Sequence, residues 1–154
     1  MEANKPEITI KKLEGHELGE FIGLIELFAE VFEMENFVLP DRVYLRQVLS
    51  KPGFIALVAL EGERVVGGLT AYVLEQYYSE KPLAYLYDLG VEAASQRRGI
   101  GRQLIAALRQ HCQEQGFAEV FVQADLEDEH AIEFYRAALA AGEKEVRQFY
   151  YTFD

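Results

Sequence analysis

A short stretch rich in arginine and glycine stands out in an otherwise acidic chain. Residues 96–101 read QRRGIG, shortly after a predicted strand and directly before a predicted helix. The first four backbone amides of a helix have no acceptor within it, and the helix dipole places partial positive charge there. Glycine lets a large anion approach the backbone, and a pyrophosphate fits such a place. The stretch predicts either a cradle for a polyanion or a plain capped turn.

Two carboxylates are the other candidates for chemistry. Asp88 is the only charged residue within the apolar run LAYLYDLGV, residues 83–91. A carboxylate in such a strand is costly unless it has a partner or a purpose. Asp125 ends the next predicted strand, and we expect it nearby. Each is a candidate base or a ligand for ammonium groups; the alternatives are a structural carboxylate for Asp88 and a loop cap for Asp125.

The elements that must position these residues follow from apolar periodicity. Their order is strand, two helices, three strands, helix, strand, helix, strand, which predicts an α/β (α+β) sheet covered by helices. No linker or repeat interrupts the chain, so residues 1–154 are predicted to form a single domain. The predicted helices are 17–32, 41–50, 101–115 and 129–140, and the predicted strands are 7–13, 54–60, 65–77, 83–91, 119–123 and 145–153.

Composition narrows the function classes. The chain has 15 Lys and Arg against 26 Asp and Glu, a formal net charge of −11. This argues against nucleic acid as a partner, because phosphate contacts need Lys and Arg. It is compatible with a cationic small-molecule substrate, or with solubility alone.

Cysteine and histidine usage gives no sign of a metal site. Cys112 is the only cysteine and lies on the apolar face of its predicted helix, so we expect a core residue rather than a nucleophile. The histidines show no metal-ligand spacing. Residues 1–13 lack the apolar core of a signal peptide, and no apolar run approaches the length of a membrane span, which predicts a cytoplasmic protein without a membrane partner.

Two motifs at matching places resemble the GCN5-related N-acetyltransferase (GNAT) family. Gln96, Gly99 and Gly101 fit its Gln/Arg-x-x-Gly-x-Gly/Ala loop. Residues 128–135 (DEHAIEFY) fit its Asn-x-x-Ala-x-x-Phe/Leu-Tyr helix, with Asp128 in place of the usual Asn. The pieces YLYDLGV and VFVQAD further resemble the gentamicin-type aminoglycoside 3-N-acetyltransferases. After Tyr135 the chain departs from that pattern with AALAAG at 137–142.

The resemblance implies a fold and a cofactor. The implied GNAT fold is a mixed, mostly antiparallel sheet of about six to seven strands, splayed between strands 4 and 5 and flanked by four helices. Acetyl-CoA is the implied co-substrate: amides at the start of the third helix hold its pyrophosphate, and its pantetheine arm pairs with the fourth strand, where Gly90 suits a bulge. The implied cofactor-binding residues are Leu89, Gly90, Val91, Gln96, Arg97, Arg98, Gly99, Ile100, Gly101, Arg102 and Asp128.

The resemblance also implies a role in the mechanism for Tyr135. Tyr135 would give a proton to the leaving thiolate. The base is Asp88 or Asp125, either of which could take the proton of the acceptor ammonium directly or through water. Because Cys112 is expected in the core, we expect direct transfer, without an acetyl-enzyme or a metal. Without the resemblance, the position of Tyr135 on the apolar face of its predicted helix indicates a core residue. Asp88 and Tyr135 are the predicted catalytic pair.

The predicted acceptor is a small cationic amine, an aminoglycoside acetylated at its 3-amino group. Asp125, Glu127 and the acids beside them would attract its ammonium groups. The alternatives are acetylation of a polyamine or a protein amine, or a non-catalytic acetyl-CoA-binding sensor. The resemblance further implies a homodimer, to which the aromatic residues 149–153 could contribute.

Overall fold

The computed structural model describes residues 6–139 and 141–154. The chain divides into two compact units, Met1–Gln123 and Ala124–Asp154. The first unit holds the sheet and three helices, and the second holds the fourth helix. The strands are β1 (Ile8–Lys12), β2 (Phe54–Glu61), β3 (Arg64–Leu74), β4 (Leu83–Val91) and β5 (Glu119–Val122), and the helices are α1 (Leu18–Val31), α2 (Arg42–Leu49), α3 (Ile100–Glu114) and α4 (Glu129–Ala138).

The sheet has the order β1-β2-β3-β4-β5 within the described residues. Strands β1 to β4 pair antiparallel in sequence order, and β4 pairs parallel with β5. The β4–β5 ladder runs only from Leu83 opposite Glu119 to Leu86 opposite Val122. The second half of β4 therefore continues beyond the end of β5, which confirms the predicted splay. The mixed sheet and the four helices are also confirmed, but the described strands number five rather than six to seven.

The predicted last strand is wrong. Residues 145–153 have no strand structure. Aromatic residues favour strands, but a strand also requires a neighbour that accepts and donates its backbone hydrogen bonds. The run FYYTF is aromatic at consecutive positions, so it lacks the alternation that identifies a buried face. Phe149, Tyr150, Tyr151 and Phe153 are all more than 80% exposed.

Helix α1 lies close to the sheet because two paired glycines leave room for it. Gly68 of β3 pairs with Gly90 of β4. A Cβ atom on Gly68 would lie 2.4 Å from Leu24 of α1, and one on Gly90 would lie 3.2 Å from the ring of Phe28. Larger residues here would force α1 away from the second half of β4, since packed interiors have little spare volume.

Helix α3 supplies a second apolar layer. Its buried side chains follow helical spacing and include Leu104, Leu108 and Cys112. Cys112 is 3% exposed, and burial raises the pKa of its thiol to about 11. The prediction that Cys112 is a core residue is confirmed. Among the described residues, no helix is long and apolar enough to cross a bilayer.

Candidate functional site

Strand β4 carries one residue more than β3 at its centre. Thr70 pairs with Asp88, but the next residue, Ala71, pairs with Leu86, so Tyr87 is the extra residue of a β-bulge. Side chains alternate between the two faces of a strand, and an extra residue shifts that alternation by one. Tyr87 and Asp88 therefore lie side by side on one face instead of on opposite faces.

Contacts identify this face as the one that α1 covers. Tyr87 lies against Tyr72, with ring centroids 5.5 Å apart, and Tyr72 lies against Phe54, which in turn contacts Phe21 of α1. Beyond the bulge, a Cβ atom on Gly90 would point toward Phe28 of the same helix. The prediction of a bulge at Gly90 is wrong: Gly90 is in regular register with Gly68, and its small size serves the packing of α1.

Asp88 lies half-buried just after this bulge. Burial raises the pKa of its carboxyl group, because a low-dielectric surrounding disfavours the charged form. The pKa of the Tyr72 hydroxyl is also raised, first by burial and then by Tyr87, Asp88 and Tyr44 of α2. Asp88 is thus a partly desolvated carboxylate among tyrosines, an environment found at catalytic and ligand-binding positions.

The loop after β4 leaves the first amides of α3 open. Arg97 and Gly99 both have positive φ angles, 65° and 75°. Gly99 is the N-cap and has no side chain to cap the helix, and a Cβ there would meet nothing within 4 Å. The first hydrogen bond into the helix runs from the Gln103 amide to the Gly99 carbonyl, 3.0 Å. The amides before Gln103 therefore have no acceptor within the helix.

The charge around these amides suits an anion. The first turn of α3 contains no acidic residue. Arg102 is exposed in this turn, and Arg97 is exposed just ahead of it. Together with the helix dipole, these groups make a positive region in a chain of net charge −11. The residues present therefore fit a pyrophosphate.

An ion-pair network ties this loop to the β2–β3 hairpin. The Arg98 guanidinium donates to Glu61 Oε2 at 2.5 Å. Arg64 donates to both carboxylate oxygens of Glu92, at 2.8 and 2.7 Å, and the hydroxyl of the buried Ser95 donates to Glu92 at 2.7 Å. The Arg98 side chain thus neutralises Glu61, and its role toward a coenzyme stays a prediction.

A further contact connects the loop to the end of β4. The Gln96 amide group donates from Nε2 to the Val91 carbonyl at 3.1 Å. Gln96, the first residue of the sequence motif, therefore holds the backbone between β4 and α3. Asp88, residues 89–91 and residues 96–102 thus lie in one segment of the first unit, which runs from the bulge in β4 to the first turn of α3.

The remaining predicted site residues belong to the second unit. Asp128 is the N-cap of α4, and its carboxylate accepts a hydrogen bond from the Ala131 amide at 3.0 Å. Asp125 accepts from the Asp128 amide through its backbone carbonyl, and both Asp125 and Glu127 are exposed. Tyr135 is half-buried, with its ring 5.3 Å from that of Phe134. The roles of these residues toward ligands stay predictions.

Sequence reasoning missed the network partners and the tyrosines next to Asp88. Glu92 lies 28 residues from Arg64, and Glu61 lies 37 residues from Arg98. No local sequence pattern predicts partners at such separations. The sequence shows only that charged residues cluster at the hairpin turn. Tyr72 and Tyr87 were visible only as aromatic strand residues. In the described part of the chain, no three His, Cys, Asp or Glu residues form a group that could hold a metal ion.

Comparisons with known proteins agree with this geometry. Residues 21–139 match the model of the acetyltransferase (GNAT) family. No curated protein matches the chain.

Solved structures extend the match to nearly the whole chain. The aminoglycoside acetyltransferase meta-AAC0020, from an uncultured soil metagenomic sample, was solved with trehalose and with sisomicin. These structures are 52% and 51% identical to this chain, cover 96% of it and 97% of their own length, and give a TM-score of 0.93. The aminoglycoside acetyltransferase HMB0005, also from a soil metagenomic sample, is 37% identical, with coverages of 96% and 99% and a TM-score of 0.88.

A more distant structure shares the fold. The aminoglycoside N-acetyltransferase AAC(6')-Iy, solved in complex with CoA, is 18% identical, with coverages of 99% and 99% and a TM-score of 0.76. The family model covers well over half of the chain, and the resemblance in its two motifs is confirmed. The chain belongs to the acetyltransferase (GNAT) family, and it is an N-acetyltransferase.

Proposed function

We propose that this enzyme transfers an acetyl group from acetyl-CoA to the 3-amino group of an aminoglycoside. The observation that carries the aminoglycoside acceptor is the 51% identity, over nearly the full length of both chains, to an aminoglycoside acetyltransferase solved with sisomicin. The half-buried Asp88 supports it, because a carboxylate forms a strong, charge-assisted hydrogen bond with an ammonium group of the acceptor. The 3-amino position rests on the sequence resemblance to the gentamicin-type enzymes.

The coenzyme is assigned to the open amides and the second half of β4. The amides of residues 98–102 would bind the pyrophosphate, with Arg97 and Arg102 adding charge at its edge. Residues 89–91 would pair with the pantetheine arm, since β4 continues there beyond the end of β5. A backbone amide of this segment would stabilise the negative charge that develops on the thioester oxygen.

The proposed chemistry is a direct transfer in a ternary complex. Bound acetyl-CoA supplies the activated acetyl thioester. Asp88 takes a proton from the acceptor ammonium, directly or through water, so that the amine lone pair becomes available. The nitrogen then attacks the carbonyl carbon and the C–N bond forms. As the C–S bond breaks, the nitrogen gives up its second proton to water. Tyr135 gives its proton to the departing thiolate and regains one from water. The pKa of about 11 for the buried Cys112 thiol supports a route without a cysteine acetyl-enzyme.

The acidic residues of the second unit are assigned to acceptor attraction. Asp125 and Glu127 are exposed, and with Asp128 and Glu129 they concentrate negative charge within five residues of chain. Exposed carboxylates attract cations at long range and raise the rate of encounter, and this effect weakens with salt.

We expect the purified protein to release CoA from acetyl-CoA in the presence of sisomicin, gentamicin or kanamycin. The measurement is colorimetric detection of the free thiol, with spermidine and a lysine peptide as acceptors of other classes. Turnover with spermidine or the peptide alone would keep the acetyltransferase and overturn the aminoglycoside assignment. Acetyl-CoA binding without turnover of any acceptor would favour the sensor alternative.

Substitutions at the proposed catalytic pair should separate chemistry from folding. We expect Asp88→Asn and Tyr135→Phe each to lower kcat by about 10²-fold or more, the usual scale for losing a proton-transfer group. Because the pKa of Asp88 is raised, the wild-type rate should fall, as the pH decreases, at a higher pH than an ordinary aspartate would give. This acid limb should be absent from the residual activity of Asp88→Asn.

Stability provides the control for Asp88. A raised carboxyl pKa means that the folded state binds the proton more tightly than the unfolded state does. The contribution of Asp88 to stability therefore decreases as pH rises from its ordinary pKa toward its raised one. Asp88→Asn should melt no lower than the wild type at neutral pH. A large loss of melting temperature, with activity falling only in proportion to folded protein, would make Asp88 a structural residue.

The ion pairs behind the loop should matter for coenzyme affinity. We expect Glu61→Gln to raise KM for acetyl-CoA by roughly threefold to tenfold, the scale of a partly buried charged hydrogen bond, with little change in kcat. Glu63→Gln is the matched control, because Glu63 is exposed in the same hairpin turn. Equal KM values for the two variants would show that the Arg98–Glu61 pair does not position the loop.

A further inference from the structure

A row of aromatic side chains crosses the sheet on the face that carries Asp88. Phe54, Tyr72, Tyr85 and Phe121 occupy paired positions on β2, β3, β4 and β5. Tyr87 lies between Tyr72 and Tyr85, with ring centroids 5.5 and 5.8 Å away. We call these five residues the aromatic row.

The row is covered at one end and exposed at its centre, at Tyr72 and Tyr87, while Tyr85 and Phe121 are half-buried. At the covered end Phe54 contacts Phe21 of α1, 5.6 Å between centroids. Tyr72 is 39% exposed and Tyr87 is 57% exposed. Cross-strand aromatic pairs stabilise a sheet, which accounts for the stacked rings of Tyr85 and Phe121. It does not account for leaving two large rings open beside a half-buried carboxylate.

The β-bulge is the reason that this apolar surface adjoins a charge. Without the extra residue, Asp88 would face away from Tyr85 and Tyr87. With it, the tyrosine rings and the carboxylate share one face. A polar edge is also present, because the Tyr85 hydroxyl donates to Gln123 Oε1 at 2.9 Å.

We propose that Tyr72 and Tyr87 form a stacking surface for a saturated six-membered ring of the acceptor, and that this surface decides which amine reaches Asp88. This inference rests on the proposed function and names the residues that select the acceptor. One face of an aminocyclitol or amino sugar consists of C–H groups and packs on aromatic rings, while its ammonium groups lie at the rim. The positive charge of these ammonium groups can pair with the carboxylate of Asp88.

The occupant follows from this combination of groups. A linear polyamine has ammonium groups for Asp88 but no rigid ring face to cover Tyr87. A neutral sugar has the ring face but no charge for Asp88. A ring that carries amines uses both, so acceptors of this kind gain affinity that the other two cannot.

The test compares Tyr87→Leu with Tyr87→Phe. Leucine keeps apolar bulk but removes the ring, whereas phenylalanine keeps the ring and removes the hydroxyl. We expect Tyr87→Leu to raise KM for sisomicin by about threefold to tenfold, the scale of an aromatic contact, and Tyr87→Phe to remain near the wild type. KM for acetyl-CoA and the melting temperature should stay nearly constant. Tyr77→Leu is the control, since Tyr77 is 98% exposed and lies outside the row.

Saturation-transfer NMR makes the test independent of turnover. Sisomicin ring protons should receive magnetisation from the wild type and from Tyr87→Phe, and much less from Tyr87→Leu. Equal loss in the Phe and Leu variants would assign the effect to the hydroxyl and overturn stacking, as would equal signals in all three. Failure of the wild type to turn over sisomicin while the NMR pattern holds would overturn the proposed function alone. The absence of any signal with the wild type would overturn the stacking surface.

Discussion

The register shift at Tyr87 is the constraint on which the candidate site depends. Before it, the residues of β4 that face α1 are odd-numbered, and after it they are even-numbered. This one change places Asp88 beside Tyr87 and turns Gly90 toward Phe28. Since β5 ends opposite Leu86, the same stretch of β4 also lies beyond the parallel pairing. A carboxylate, aromatic rings and a strand edge that no described residue pairs with thus meet within a few residues.

Two further features keep that stretch in place, and they act through different forces. On one side, Gly68 and Gly90 let α1 pack closely, so the arrangement is held by shape. On the other side, Arg64 and Glu92 fix the loop that leaves β4, and Arg98 is fixed by Glu61. Arg64 and Ser95 hold the pKa of Glu92 below its ordinary value, so this support is present at neutral pH and is lost as pH falls through that lowered pKa.

Much of this site could be predicted from the sequence because its signals are local. The QRRGIG stretch marks a helix start by composition, and Asp88 is conspicuous as one charge in an apolar strand. The helices and the first five strands follow from periodicity, with bounds that differ by a few residues at most. The position of the bulge could not be predicted, because it depends on the pairing of β3 with β4 and not on either strand alone. The same limit explains the error at residues 145–153, where aromatic content favoured a strand without a partner to pair with.

The central claim is that the second half of β4 and the start of α3 together bind acetyl-CoA. Hydrogen–deuterium exchange of the full chain, with and without acetyl-CoA, tests it most directly, because open amides exchange quickly until a ligand covers them. The account predicts slower exchange in peptides that cover residues 87–91 and 97–103, and no comparable change in α2. Protection elsewhere, such as the cavity of about 480 Å³ lined by Lys12, Lys51 and His111, with none at α3, would contradict it.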